Sequence, residues 1–469
     1  MSGALAKLIA DALPSLRWNI ESTGDLPCTS ADIAAIGDRV AQALRQHGVL
    51  PDEPVVVRIG NRPSDFGALL GVWQAGAVAV PLHVNAAADT AAALQQATGA
   101  RLFIDIDRLE VIATSLPPER PLLRDAALVI FTSGSTGQPK GVVIGHRRFA
   151  AKLDTLDRLL AFQSDDVVLV PLQLTFIFGL WVSLLALKSR ARLILVPRFS
   201  AEAIGNGLRS GATVLAGVPS MFRSLAANPA YAAPALRLVL TGGEVLPKPL
   251  AVAMQKASPR AGIFDLYGLT ETGSCDFVLK PGDQPDGLGT IGVPTEGVAF
   301  RIGRGDGSEA PPGEAGELRI GTPFGLLGYL DNPQLTADSF DGAFFKTGDL
   351  ARLRADGRVE PVGRSKDIVS RGGNKIAPLE IDNLLCEHPA VAAALCAGIP
   401  DERLGEVIHA AIVLRPGTAA SADELRTWMQ TRTERYKIPD AFHFCEALPA
   451  GPTGKADRRA VAQFAKGSS

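Results

Sequence analysis

Apolar residues recur at helical spacing over residues 31–48, where Ile33, Ile36, Val40 and Leu44 fall on one face and Gly48 supplies a stop. The period then changes. Pro54-Val55-Val56-Val57-Arg58-Ile59 reads as a strand, residues 64–76 as a helix, and Ala77-Val78-Ala79-Val80-Pro81-Leu82 as the next strand. Short runs of the same kind return at residues 166–170, 193–196 and 236–240. Strands that alternate with helices predict parallel sheets covered by helices, an α/β fold. The most apolar window, residues 176–187, contains Ser183 and is closed by Lys188. It is too short to cross a bilayer and predicts a buried helix.

From about residue 281 to 328 the texture shifts. Gly and Pro become dense, and short apolar pieces such as Val298-Ala299-Phe300-Arg301-Ile302 and Glu317-Leu318-Arg319-Ile320 alternate with turns. That pattern predicts a small antiparallel β region, a distorted barrel, appended to the parallel sheets. Past Gly363 the mixed α/β pattern returns over roughly a hundred residues, enough for a small separate domain. A chain of 469 residues exceeds one ordinary core. The expected division is residues 1–363 and 364–469.

Composition removes several classes of function. With 47 basic against 49 acidic residues and a net charge of -2, no general field attracts nucleic acid. Cys28, Cys275, Cys386, Cys396 and Cys445 are scattered and never spaced Cys-x-x-Cys, which fits a reducing compartment rather than a disulfide frame or zinc knuckle. The six histidines form no His-Glu-x-x-His pattern. Residues 1–13 lack the long apolar segment of a secretory signal, so the expectation is a soluble cytoplasmic protein with neither membrane nor nucleic-acid partner.

The chemistry is concentrated in a few strings. Ala127-Leu128-Val129-Ile130-Phe131 leads like a buried strand into Thr132-Ser133-Gly134-Ser135-Thr136-Gly137-Gln138-Pro139-Lys140-Gly141, where hydroxyls, bare backbone donors and the Lys140 charge can wrap an oxyanion. The P-loop ATPase pattern fails here, because Gln138 and Pro139 separate the second Gly from Lys140. A polar turn after a strand would carry the same residues. Tyr267-Gly268-Leu269-Thr270-Glu271-Thr272 follows a strand-like segment and ends in a hydroxyl beside a carboxylate, a set that alone could be a capped helix start. In Lys346-Thr347-Gly348-Asp349, the Asp could accept two ribose hydroxyls or serve only a turn. Gly363-Arg364-Ser365-Lys366-Asp367, the pair Gly372-Gly373 and Pro452-Thr453-Gly454-Lys455 complete the series.

In this order and at these separations, the strings resemble the adenylate-forming enzymes: acyl- and aryl-CoA ligases, luciferases and peptide-synthetase adenylation domains. The resemblance spans nearly the whole chain, and each assignment that follows is what it implies. Thr132, Ser133, Gly134, Ser135, Thr136, Gly137 and Lys140 form a phosphate loop. Tyr267 lies on the adenine, Thr270 binds the α-phosphate, Glu271 holds Mg²⁺, Asp349 takes the ribose, and Arg364 reaches ribose or phosphates. Gly242, Gly243, Glu244, Asp265 and Gly268 join the nucleotide site, and Phe176, Phe178, Gly217 and Thr241 the acid pocket. Lys366 is the pivot of a hinge at residues 364–367, Gly372 and Gly373 line a thiol tunnel, and Lys455 bridges the substrate carboxylate and α-phosphate. A mobile C-terminal domain follows from that hinge.

Many such enzymes carry a gating His near the acid pocket where this chain has Phe176, which excludes proton transfer there. Phe176 and Phe178 could equally be core. No Asp stands between Pro171 and Lys188 to pair with an α-ammonium group, so an amino-acid substrate is not expected. The expected activity is ATP-dependent activation of an aryl or medium-chain carboxylate to an acyl-AMP, then transfer to coenzyme A. The alternatives are transfer to the phosphopantetheine of an acyl carrier protein, and a non-catalytic nucleotide-binding regulator.

Overall fold

Thr29 starts the first long helix, Ser30–Gln46: its side chain accepts from Asp32 N at 3.2 Å while the Asp32 carboxylate accepts from Thr29 N at 2.8 Å. Ile33, Ile36, Val40 and Leu44 are its buried face, and the chain leaves through Gly48 at φ 63°. The computed structural model describes residues 4–13, 21–22, 28–106, 108–133, 139–226, 228, 231–449 and 456–466.

The predicted strands assemble in parallel. Pro54–Ile59 pairs with Val78–His83 on one side and Leu102–Asp105 on the other, and Ala126–Ser133 joins Val78–His83. The chain then turns back. Pro139–Gly145 pairs antiparallel with Ala126–Ser133, Thr132 opposite Lys140. Lys140, expected in a loop, therefore lies on a strand, because Gly141-Val142-Val143-Ile144 continues as a buried ladder. With Gly328–Tyr329 and Arg108–Val111 at its edges, this sheet has seven strands.

A second sheet runs in the order Glu21–Ser22, Arg192–Leu195, Val167–Val170, Val214–Gly217, Leu238–Gly242, Gly262–Tyr267, Phe277–Leu279, Val293–Pro294, with only the last two pairings antiparallel. One apolar cluster joins both sheets to the helices Pro63–Gln74, His146–Leu160 and Ile177–Lys188. Ile177–Lys188 is the apolar window of the sequence, and it is buried almost throughout. Parallel strands covered on both faces become continuous runs of Val, Ile and Leu, which is why they were legible.

The small β region is a five-stranded antiparallel sheet of Ala299–Gly303, Ala315–Gly321, Phe340–Asp341, Phe344–Leu353 and Val359–Arg364. It extends beyond residue 328, where the Gly-Pro texture had ended. From Val369 onward a further antiparallel sheet, with Ala441–Phe444 added in parallel, builds its own core around Ile381, Leu385, Cys396, Ile408, Ala410 and Met429. The molecule thus has a large N-terminal domain of sheets and helices and a smaller C-terminal one.

Ser30–Gln46 and Pro63–Gln74 meet through glycines. A Cβ at Gly71 would stand 2.6 Å from Gly37 O and from Val40 Cβ, and one at Gly67 2.7 Å from Ile36 Cβ. Overpacking of this kind costs about 1–3 kcal/mol. Gly71→Ala is expected to lose about that much in denaturant unfolding, although alanine favours helix; an unchanged midpoint would contradict the close approach.

Candidate active site

Three segments converge on one carboxylate. The strand Gly262–Tyr267 ends with Tyr267, whose hydroxyl donates to Asp349 Oδ2 at 2.5 Å. Asp349 sits in Phe344–Leu353 just after Gly348, which adopts φ 72° and donates its N–H to Glu317 Oε1 at 3.3 Å. Arg364, opposite Asp349 at the end of Val359–Arg364, sets its Nε 2.8 Å from Asp349 Oδ1. Burial and then the Asp349 charge push the Tyr267 phenol well above its ordinary range, so it remains a proton donor. Asp349 first of all holds the Arg364 guanidinium above its usual value. Asp349 is 8% exposed, and its two oxygens keep lone pairs for further donors such as vicinal hydroxyls.

The turn Thr270–Thr272 begins beside this cluster. Gly268 permits it, since a Cβ there would come within 2.3 Å of Cys275 N. The Glu271 carbonyl accepts Leu326 N at 2.8 Å, and Glu271 Oε1 accepts the Tyr329 hydroxyl at 3.2 Å. Lys140 Nζ lies 5.8 Å from the centre of the same Tyr329 ring. Tyr329 thus brings Lys140 and Glu271 to one place. Sequence reasoning missed it, because the short strand Gly328–Tyr329 is held by pairing with Val142 and Val143 and shows no periodicity of its own.

Gly217, Thr241 and Asp265 lie toward the C-terminal ends of adjacent parallel strands, where ligands of open α/β sheets gather. Gly242 must be small: a Cβ would stand 2.5 Å from Leu266 O. The Thr241 hydroxyl is buried with no hydrogen-bond partner among the described residues, an acceptor and donor left over for a ligand. Gly217 faces the Phe222 ring, and Gly243 adopts φ 88°. Glu244 pairs with Arg223 Nη2 at 3.1 Å, and its Oε1 accepts Ala456 N at 3.1 Å. That bond ties the C-terminal domain to the strand ends. Arg458 fixes the same segment from behind, donating to Cys396 O at 2.6 Å and to Asp382 Oδ2 at 2.5 Å.

Other predicted residues are distributed differently. Phe176, 37% exposed, precedes the helix Ile177–Lys188, whereas Phe178 is half-buried and stacks on Trp181 at 5.3 Å. Thr132 is half-buried at the end of its strand, with Ser133 following in the ladder. Lys366 is exposed in the turn Ser365–Asp367. Gly372 and Gly373, at φ 54° and 84°, form a hairpin turn between Arg371 and Asn374. Gly372 N donates to Leu404 O at 2.8 Å, and among the described residues a Cβ at Gly373 would meet nothing within 4 Å and no contact joins this pair to the Asp349 cluster. Gly134, Ser135, Thr136, Gly137 and Lys455 lie outside the described residues.

Comparison with known proteins adds an independent line. Residues 27–330 match the family described as AMP-binding enzyme, and residues 380–455 match the AMP-binding enzyme C-terminal domain. The chain is 32% identical over 460 residues to a feruloyl-CoA synthase from Amycolatopsis sp, covering 92% of this chain and 93% of that protein. It is 29% identical over 465 residues to the fatty acid–[acyl-carrier-protein] ligase ScoC from Streptomyces coeruleorubidus, covering 90% and 88%. Among solved structures, o-succinylbenzoate CoA synthetase (MenE) from Bacillus subtilis in complex with the acyl-adenylate intermediate OSB-AMP superposes with a TM-score of 0.82 at 27% identity, covering 96% and 97%.

Burial pushes the Asp265 carboxyl up from 3.8 to about 7, against hydrogen bonds from the Leu246 and Leu266 backbones. The folded chain therefore holds this proton more tightly than the unfolded chain. Its stabilising effect is complete below about pH 4 and is lost as pH rises to about 7. Asp265→Asn removes that loss. Relative to the unaltered protein, its thermal stability should grow between pH 4 and 7 by on the order of a few kcal/mol; a pH-independent difference would contradict the assignment.

Proposed function

Because the chain belongs to the AMP-binding enzyme family, we propose that it is a carboxylic acid–CoA ligase acting on an aryl or medium-chain acid. The family is ATP-dependent and forms adenylates. In the first step a carboxylate oxygen attacks the α-phosphorus of ATP, and the bond to pyrophosphate breaks. In the second, the sulfur of coenzyme A attacks the acyl carbon, AMP leaves, and the thiol proton passes to solvent. A poor electrophile becomes reactive by this division.

The observation that carries the reading is the convergence of Tyr267, Asp349 and Arg364, with Glu271 and Lys140 joined through Tyr329. On this reading Asp349 accepts the ribose hydroxyls, and Arg364 adds charge beside them. Tyr267 lies against the adenine, near Gly242, Gly243, Glu244, Asp265 and Gly268. Thr270 and Lys140, with Thr132, Ser133, Gly134, Ser135, Thr136 and Gly137, surround the phosphates. Glu271 offers a half-buried carboxylate of the hard oxygen type that Mg²⁺ takes, and the ion would offset charge on the triphosphate. Lys455 directly precedes Ala456, and the Ala456–Glu244 bond supports a role for that ammonium at the α-phosphate as charge builds.

The acid would occupy the ground between Phe176, Phe178, Gly217 and the buried Thr241 hydroxyl. Few charges there favour an apolar substrate, and similarity to a feruloyl-CoA synthase favours an aromatic one. We place the domain boundary at residues 363 and 364. Rotation about the exposed Lys366 would exchange the Lys455 segment for the Gly372-Gly373 hairpin, bringing the thiol tunnel to the adenylate. Similarity to ScoC supports a second acceptor, a carrier-protein phosphopantetheine. A cytoplasmic location fits the free thiols of all five cysteines.

Exchange of labelled pyrophosphate into ATP across aryl, short, medium and long acids tests the reading, with exchange expected for aryl or medium-chain acids and none for amino acids. Thioester yield with free coenzyme A should exceed that with carrier proteins; the reverse would move the carrier reading to first place. Lys455→Ala should lower adenylate formation by about 10²–10³-fold while sparing thioester formation from supplied adenylate. Equal losses in both halves would remove Lys455 from the first step.

A further inference from the structure

The helix His146–Leu160 leaves the strand that carries Lys140 and sends two side chains, one turn apart, to the segments that flank the Thr270–Thr272 turn. Lys152 is fully buried. Its Nζ donates to Cys275 O at 2.7 Å and to Thr295 Oγ1 at 3.4 Å, lies 5.0 Å from the centre of the Phe324 ring, and stands 3.9 Å from Asp276 Oδ1. The Thr272 hydroxyl donates to Asp276 Oδ2, while Asp276 Oδ1 has no hydrogen-bond partner among the described residues. The Lys152 ammonium is therefore the compensation for that second oxygen. Arg148, one turn earlier, donates to Leu326 O at 2.5 Å and Gly325 O at 3.1 Å, and Leu326 N in turn holds the Glu271 carbonyl.

What this buried charge holds is an unfavourable backbone. Gly273, Ser274 and Cys275 follow one another at φ 88°, 67° and 52°, and the last two have side chains that disfavour the left-handed region. Such a conformation persists only where its surroundings over-determine it. Lys152 grips the Cys275 carbonyl at the end of the run, and the Thr272–Asp276 bond joins the residues that flank it on both sides. A buried ion pair is a poor source of stability, since apolar groups of similar volume often serve as well or better. Its connection, through Thr272, to the turn that carries Thr270 and Glu271 calls for a different reason.

We infer that Lys152 is a positioning residue for the adenylating step, acting through Asp276 and Thr272 to fix the turn that presents Thr270 and Glu271 to the nucleotide phosphates. The inference rests on the proposed ligase function. Lys152 never touches substrate; it sets where two other side chains stand, and a displacement of about 1 Å at such a site can cost 10²-fold in rate. The same helix follows directly on the strand Pro139–Gly145 that carries Lys140, so one rigid element links that strand to the Thr270–Thr272 turn.

The test compares Lys152→Met alone, Lys152→Met with Asp276→Leu, and Thr272→Val, in melting temperature and in both half-reactions. Lys152→Met should raise the KM for MgATP in pyrophosphate exchange at least about tenfold, while thioester formation from supplied acyl-adenylate stays within about threefold. The double variant removes the uncompensated carboxylate, so its melting temperature should recover while its KM stays high. Return of both to wild-type values, or equal losses in both half-reactions, would overturn the inference. Should Lys152→Met fail to fold, Thr272→Val decides: a raised KM at an unchanged melting temperature supports the linkage, and an unchanged KM ends it. Wild-type protein without exchange on any acid would instead remove the ligase reading on which the inference rests.

Discussion

The Asp349 carboxylate is the point on which the architecture depends. It accepts the Tyr267 hydroxyl from the end of a strand in one sheet, stands in a strand of a second, and pairs with Arg364 where the chain departs toward the C-terminal domain. A buried acceptor with two charged or polar neighbours cannot lose either without leaving an unsatisfied group, which costs more than the bond is worth. The two sheets are already packed together through the apolar cluster of Phe277, Ile302, Leu318, Ile320, Ala351 and Val359, and the polar contacts at Asp349 fix the register of the side chains above it.

The same division of labour recurs at the other end of the site. The Thr270–Thr272 turn is anchored by Leu326 N, Tyr329 and the buried Lys152–Asp276 pair, and it is followed by three residues of left-handed backbone. Strain of this kind is held where geometry matters more than stability. The Ala456–Glu244 bond then brings the C-terminal domain against the strand ends with Arg458 locked to Asp382. One cleft can serve two reactions in turn only if this contact is real yet small enough to be released.

Much of the architecture was legible because parallel strands and buried helices write themselves as long apolar runs. The strand Pro54–Ile59 and the helix Ile177–Lys188 fall within a residue of their expected bounds. The five-stranded sheet was only half visible. Its long strand Phe344–Leu353 interleaves Lys346, Asp349 and Arg352 with apolar residues, so it read as a motif rather than a strand. Lys140 was misplaced in a loop because Gln138-Pro139 looks like a turn, whereas the ladder with Thr132 begins at once. Tyr329, Lys152 and Asp276 carried no local signal. A buried lysine owes its role to partners more than a hundred residues away, at Cys275 and Asp276, and such pairing is a property of the fold. The family's motifs pointed to Tyr267, Glu271, Asp349 and Arg364, but not to the groups that hold them.

The central claim is that these separated stretches surround a single nucleotide. A crystal structure of the full chain with Mg²⁺ and a non-hydrolysable ATP analogue tests it most directly. The account predicts both ribose hydroxyls in hydrogen-bond contact with Asp349, and the metal about 2.1 Å from a Glu271 carboxylate oxygen. A nucleotide bound in another cavity, with Asp349 still held only by Tyr267 and Arg364, would contradict it.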